Sequence, residues 1–210
     1  MLIRLQLMSI RINRRILEPC SEKMHKLFNS SLKWRILSFF LENPNTASFS
    51  NQLGRALDVN NSTASTISKD FSDCGLMKRE IMGRTYIYRL NMEHPIVRPL
   101  RKAYGISLVM TANPNKTFSD IDEELLSVAL IGEFASGTWN ENSTVEFLAI
   151  SDSDDSKMEI IRKIIEGILG RKVSINRIPI DKMDSLRMQN DPAYLEIVSD
   201  HVLISGDRII

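Results

Sequence analysis

Ser62, Thr63, Ser65, Thr66 and Lys69 lie within eight residues of one another, and Arg79 and Arg84 follow shortly after. Hydroxyls and cations at that spacing have a definite use. With Ala64, Ile67 and Phe71 turned inward on a helix, Thr63, Ser65, Thr66 and Lys69 face outward together. Such a face can hydrogen-bond base edges and phosphates, although Ser and Thr discriminate bases poorly.

The flanking residues supply the elements that must position this face. Leu53, Ala56 and Leu57 form an apolar-spaced segment that ends at Asp58-Val59-Asn60-Asn61. Ser62 is expected to cap the second helix, and Gly75 to end it as a left-handed residue with Leu76 making the accompanying apolar contact. Two β-rich runs, Met77–Ile81 and Thr85–Leu90, are joined by Met82-Gly83-Arg84, which puts Gly83 at a hairpin tip and projects Arg84. Helix, tight turn, helix and hairpin is the order of a winged helix-turn-helix, whose second helix enters the DNA major groove. The alternative use of the same unit is protein docking or dimerisation.

Charge favours DNA. Residues 1–112 hold 17 Lys and Arg against 8 Asp and Glu, whereas residues 113–210 hold 10 against 18. A basic front half on a chain of net charge +1 suits a polyanion partner for that half alone. No apolar run is long enough to span a bilayer. Cys20 and Cys74 have no metal-type spacing and fit a reducing cytoplasm, with Cys74 read as a small packed residue. His25, His94 and His201 are scattered, so no histidine-based metal site or triad is expected.

Elsewhere, Ser31–Glu42 reads as a strong helix with Leu32, Ile36, Phe39 and Phe40 on its apolar stripe, ended by Asn43-Pro44; Trp34 is read as a packing residue. Met1–Leu17 lacks the apolar core of a secretory signal. It reads either as an edge strand, with Arg11, Arg14 and Arg15 near phosphate, or as an upstream start with Met8 or Met24 the true one. Asn91–Ala112 reads as a connecting helix, and the helices around Leu32–Phe40 and Ile96–Met110 as contacts of a homodimer. Asn113-Pro114-Asn115-Lys116 marks the boundary. After it, Ser119 with Asp122 should open a helix, followed by strands through Ala129–Ile131, Thr144–Ile150 and Val173–Ile178 and helices at Ser156–Leu169 and Tyr194–Val198, closing with a strand at Val202–Leu203. Asp152, Asp154 and Asp155 read as a solvated loop and helix start.

The expected fold is therefore α+β, with an N-terminal extension (1–27), a winged helix-turn-helix (28–91), a connecting segment (92–118) and a small α/β domain with a mixed sheet (119–210). Residues 31–102, including Tyr88-Arg89-Leu90-Asn91-Met92-Glu93-His94-Pro95, resemble prokaryotic, archaeal-type winged-helix regulators of the broad ArsR/MarR kind. Residues 119–210 resemble a minimal nucleotidyltransferase domain through Leu130-Ile131-Gly132-Glu133-Phe134-Ala135-Ser136-Gly137 and then Asn142-Ser143-Thr144-Val145-Glu146-Phe147-Leu148. The family pattern is G-S-x-A-x-G followed by S-D-I-D-L on the next strand. Gly132, Ala135, Gly137, Ser143, Val145, Phe147 and Leu148 match its scaffold. Glu133 replaces the phosphate-binding serine, Thr144 and Glu146 replace the two metal-binding aspartates, and Ser174, Asn176 and Arg177 stand where a third carboxylate belongs.

The resemblance thus implies a cytoplasmic, DNA-binding transcription regulator. Its second domain is expected to lack catalysis, cofactor and metal, and to serve dimerisation, sensing or binding of a protein or small molecule. The alternative is an active antitoxin-type nucleotidyltransferase acting on a protein or RNA, with Glu146 and Glu133 holding magnesium.

Overall fold

The structure is a computed structural model that describes residues 31–189 and 191–207. The segment with Arg11, Arg14 and Arg15 lies outside them. Helix α1 (Leu32–Glu42) starts where the Ser31 hydroxyl accepts a hydrogen bond from the Trp34 amide and stops where the Asn43 side-chain amide donates to the Phe39 carbonyl. Its stripe buries Ile36, Leu37, Phe40 and Leu41, with Leu32, Trp34 and Phe39 partly covered.

A short strand β1 (Ala47–Phe49) leads into α2 (Ser50–Leu57), and α3 (Asn61–Asp73) follows a turn held by Asp58 in the left-handed region. Gly54 makes that tight turn feasible: a Cβ there would run into the Asn61 side chain and the Val59 carbonyl. Gly54→Ala is therefore expected to destabilise the fold by about 1–3 kcal/mol through overpacking, measured by chemical denaturation. The cap of α3 differs from expectation. Asn60, not Ser62, is the N-cap, and its Oδ1 accepts from both the amide and the hydroxyl of Ser62 (2.9 and 2.8 Å). The helix thus starts two residues earlier than expected, and Ser62 becomes the second helical residue, whose orphan amide the Asn60 side chain satisfies.

Ala64 and Ile67 point inward as expected, and Gly75 closes α3 at φ +82°. Cys74 is exposed rather than packed, because it caps the helix on the solvent side of that turn. Strands β2 (Met77–Met82) and β3 (Thr85–Leu90) form a hairpin turning at Gly83, where φ is +64°. With β1 they make a wholly antiparallel sheet in the order β1-β3-β2.

Helix α4 (Val97–Met110) then crosses back over α1. Its Val97, Tyr104 and Val109 are buried within the chain, as are Ile36, Leu37 and Phe40 of α1. Within the same two stretches Ile96 is exposed, and Leu32, Trp34, Phe39 and Met110 are only partly covered. Pro114 opens α5 (Pro114–Ile121), so Ser119 lies in the last turn and Asp122 is the C-cap; the expected helix start is a helix end.

The second sheet contains β4 (Leu125–Ile131), β5 (Val145–Ser151), β6 (Val173–Ile178) and β7 (Val202–Gly206), in the order β6-β5-β4-β7. β5 and β6 are parallel and the other pairs antiparallel, so the protein is α+β with a mixed sheet. Between β4 and β5 lies α6 (Gly132–Ser136). Helix α7 (Asp155–Leu169) covers one face through Met158, Ile161 and Ile165. The other face, with Ala129, Leu148 and Ile150, is covered from α8 (Ile180–Met188) by Met183 and from α9 (Pro192–Ser199) by Tyr194. One apolar cluster runs from Ile36 of α1 to Ile204 of β7 and joins both halves.

Candidate functional site

Two surfaces gather the chemistry read from the sequence. The first is the strand–turn–helix of β4 and α6. β4 ends extended at Ile131, Gly132 takes φ +69°, and α6 begins at once. The Glu146 side chain of β5 lies directly on this turn: a Cβ on Gly132 would sit 2.7 Å from its Oε1. Glycine is therefore required twice, for its backbone angle and for the room it leaves to the carboxylate. Glu133 follows in the first turn of α6, and its carboxylate accepts a hydrogen bond from the Ser143 hydroxyl. Two acidic side chains thus flank one glycine turn. Ser174 is the register partner of Glu146 on β6, while Arg177 pairs with Asp155 at 2.8 Å, so no acid enters from β6. Thr144 immediately precedes β5.

Behind the turn sits a buried cation that the sequence reading passed over. Arg101 of α4 is 1% exposed, its Nε donates to the Leu41 carbonyl, and its guanidinium lies 5.2 Å from the Trp139 ring. Nη2 has no hydrogen-bond partner among the described residues. Burial pulls the Arg101 pKa below its ordinary value, and the negative charge of Glu133 partly offsets this. Glu133 is thus held by a hydroxyl and sits in the field of a cation, rather than standing uncompensated where a phosphate would lie. Trp139 is fully buried, stacks on Phe134 at 5.0 Å and donates its Nε1–H to the Arg101 carbonyl. On the same helix, Arg98 donates to the Ser136 carbonyl at 2.9 Å, and a Cβ on Gly137 would meet the Arg98 carbonyl at 2.7 Å. α6 is therefore fastened to α4, and α4 to α1.

No family model matches this chain, and no curated protein does. Solved structures that resemble part of this chain include a toxin-antitoxin with AMP-PNP, at 17% identity and TM-score 0.36, covering 46% of this chain and 74% of that one. A mutant of the toxin-antitoxin MntA-HpeT matches equally, covering 46% of this chain and 73% of that one. Against these neighbours, one of them with AMP-PNP, the expectation that this chain is not an enzyme is withdrawn.

The remaining acids have structural duties. Asp154 caps α7 by accepting from the Ser156 and Lys157 amides, and the Ser156 hydroxyl leads in holding its pKa below the usual carboxylate range. Asp152 accepts from the Ile180 amide, and Asp155 pairs with Arg177. No group of three or more metal-ligating side chains occurs among the described residues. A groove of about 420 Å³ between α7 and β6 is lined by charges that satisfy one another: Arg162 with Glu159 and Glu166, and Arg177 with Asp155. Among the described residues no helix is long and apolar enough to cross a membrane.

The second surface is the outer side of α3 and the hairpin. Ser62, Thr63, Thr66 and Lys69 are exposed there, and Ser65 is half-buried. Two of the hydroxyl protons are already used, Ser62 donating to Asn60 and Thr66 to the Ser62 carbonyl at 3.0 Å. Thr63 and Ser65 are the hydroxyls left to donate outward. Arg84 is exposed at the hairpin turn, and the Arg79 guanidinium lies 4.8 Å over the Tyr86 ring. Lys78 and Arg89 are paired with Glu93 and Glu80 at the surface. Lys69, Arg79 and Arg84 form no ion pair with another described residue.

Proposed function

We propose that the β4–β7 half is a nucleotidyltransferase-type domain that binds a magnesium nucleotide at the Gly132 turn, and that the first half is a winged helix-turn-helix that holds duplex DNA. The observation that carries the first reading is the Glu146 carboxylate seated on Gly132. Magnesium is commonly held by only one or two carboxylates together with substrate phosphates. Glu146 and Glu133 are the oxygens of this chain that would hold it, and the ion would neutralise charge on the phosphates. Ser143 orients the Glu133 carboxylate, and the Arg101 guanidinium lies buried behind it. The test is transfer of labelled nucleotide to a protein or RNA acceptor. Transfer that disappears in Glu146→Gln supports the reading; transfer unaffected by that change removes Glu146 from it.

The second reading rests on the sheet order β1-β3-β2 behind α2 and α3, which leaves the outer face of α3 and the hairpin free. Lys69→Ala is expected to weaken binding to all duplexes alike and to reduce the salt slope by about one. Thr63→Ala should instead change sequence preference at one base position, by about 1–3 kcal/mol. Binding isotherms on a panel of duplexes selected from random DNA check both; identical, sequence-independent losses would put α3 outside the major groove.

A further inference from the structure

The end of the hairpin is apolar where solvent alone would favour polar side chains. Ile81 is 75% exposed, Met82 57% and Tyr86 43%. Ile81 and Tyr86 are cross-strand partners. They therefore project from the same face as the pairs Met77–Leu90 and Arg79–Tyr88. At the base of the hairpin that face buries Met77, Tyr88 and Leu90 against the helices. Two rungs further out it has left the helices behind, yet it remains apolar. Isolated exposed apolar residues need no explanation, but a contiguous group on a projecting tip marks a contact surface.

The charges around the tip indicate what it contacts. Arg79 is laid against the Tyr86 ring, Arg84 stands beside Gly83 at the turn, and Lys78 and Arg89 lie on the opposite face. The hairpin thus carries four cations against the single acid Glu80. Cations rimming an apolar point fit the minor groove, where Arg and Lys take the negative potential while an apolar side chain parts two stacked bases. We infer that Ile81, with Tyr86 beside it and Met82 on the reverse of the tip, is a wedge that enters the minor groove next to the α3 contact and kinks the duplex. This rests on the DNA-binding reading and extends it: the protein would bend its site, and would favour sites with easily unstacked pyrimidine–purine steps.

The test uses the full chain and a duplex selected by it from random DNA, with 2-aminopurine placed in turn at each pyrimidine–purine step and fluorophores at both ends. A several-fold rise in 2-aminopurine emission at one step, with a shortened end-to-end distance, is expected on binding. The double change Ile81→Thr with Met82→Gln alters exposed side chains only and keeps residues compatible with a strand. It should abolish both signals while leaving the salt slope of binding unchanged. Arg84→Ala should lower affinity and leave the emission rise in place. Duplex binding by the unmodified protein with no unstacking at any step overturns the wedge and leaves the DNA reading intact; no duplex binding at low salt overturns both. Capture of the unmodified chain by phosphatidylserine vesicles, lost in the double variant while the duplex signals persist in it, would assign the tip to a lipid surface and overturn the wedge.

Discussion

Trp139→Ala is expected to destabilise the protein by about 3–5 kcal/mol, the usual cost of emptying a fully buried aromatic site. The loss has three sources. The ring's stacking on Phe134 and its neighbour Tyr104 is removed. The Arg101 carbonyl loses the indole N–H. The Arg101 guanidinium, already short of one hydrogen-bond partner, loses the ring that covers it. Because the whole fold is worth only about 5–15 kcal/mol, such a variant should be partly unfolded near physiological temperature. Urea denaturation checks the magnitude. Trp139→Phe should recover part of the loss, since it keeps a stacked ring while giving up the N–H and some of the buried volume.

Salt should act strongly on the other half. Lys69, Arg79 and Arg84 are the cations of α3 and the hairpin that form no ion pair with another described residue. At a slope of about −0.9 per phosphate contact, three contacts give about −2.7 in log affinity against log salt. Raising salt from about 50 to about 200 mM should then weaken duplex binding about 40-fold for each bound copy. The squared factor is expected if two copies bind as a pair. α3 itself carries Lys69 against Asp70 and Asp73, so the slope should come chiefly from the hairpin. Arg79→Ala with Arg84→Ala should flatten it to about −0.9, whereas a slope that survives the pair of changes would place the phosphate contacts elsewhere.

Much of the scaffold was legible because its signals are periodic or local. The stripe Ile36, Phe39 and Phe40, the inward set Ala64 and Ile67, the hairpin turn at Gly83 and the strand Val173–Ile178 all fall where spacing and turn chemistry put them. What escaped depends on contacts distant in sequence. β1 is three residues long and exists only because β3 lies beside it. α8 buries only Met183, so its sequence carries almost no helical stripe. Asn60 and Ser62 are both good capping residues, and the choice between them is made by the turn after Asp58.

The candidate site was legible as a glycine turn and an acid two positions into the next strand, but not as a set of partners. Nothing local in the sequence marks Arg101 as buried; Trp139, 38 residues later, closes over it. Glu133 reads as an obstacle to phosphate until Ser143 and Arg101 are seen to hold it.

The most direct measurement is calorimetric titration of the folded protein with Mg-AMP-PNP, beside Glu146→Gln and a magnesium-free control. Saturable binding that requires magnesium and weakens at least tenfold in Glu146→Gln is the predicted result. A flat titration of the unmodified protein, or binding indifferent to both magnesium and Glu146, would contradict the account.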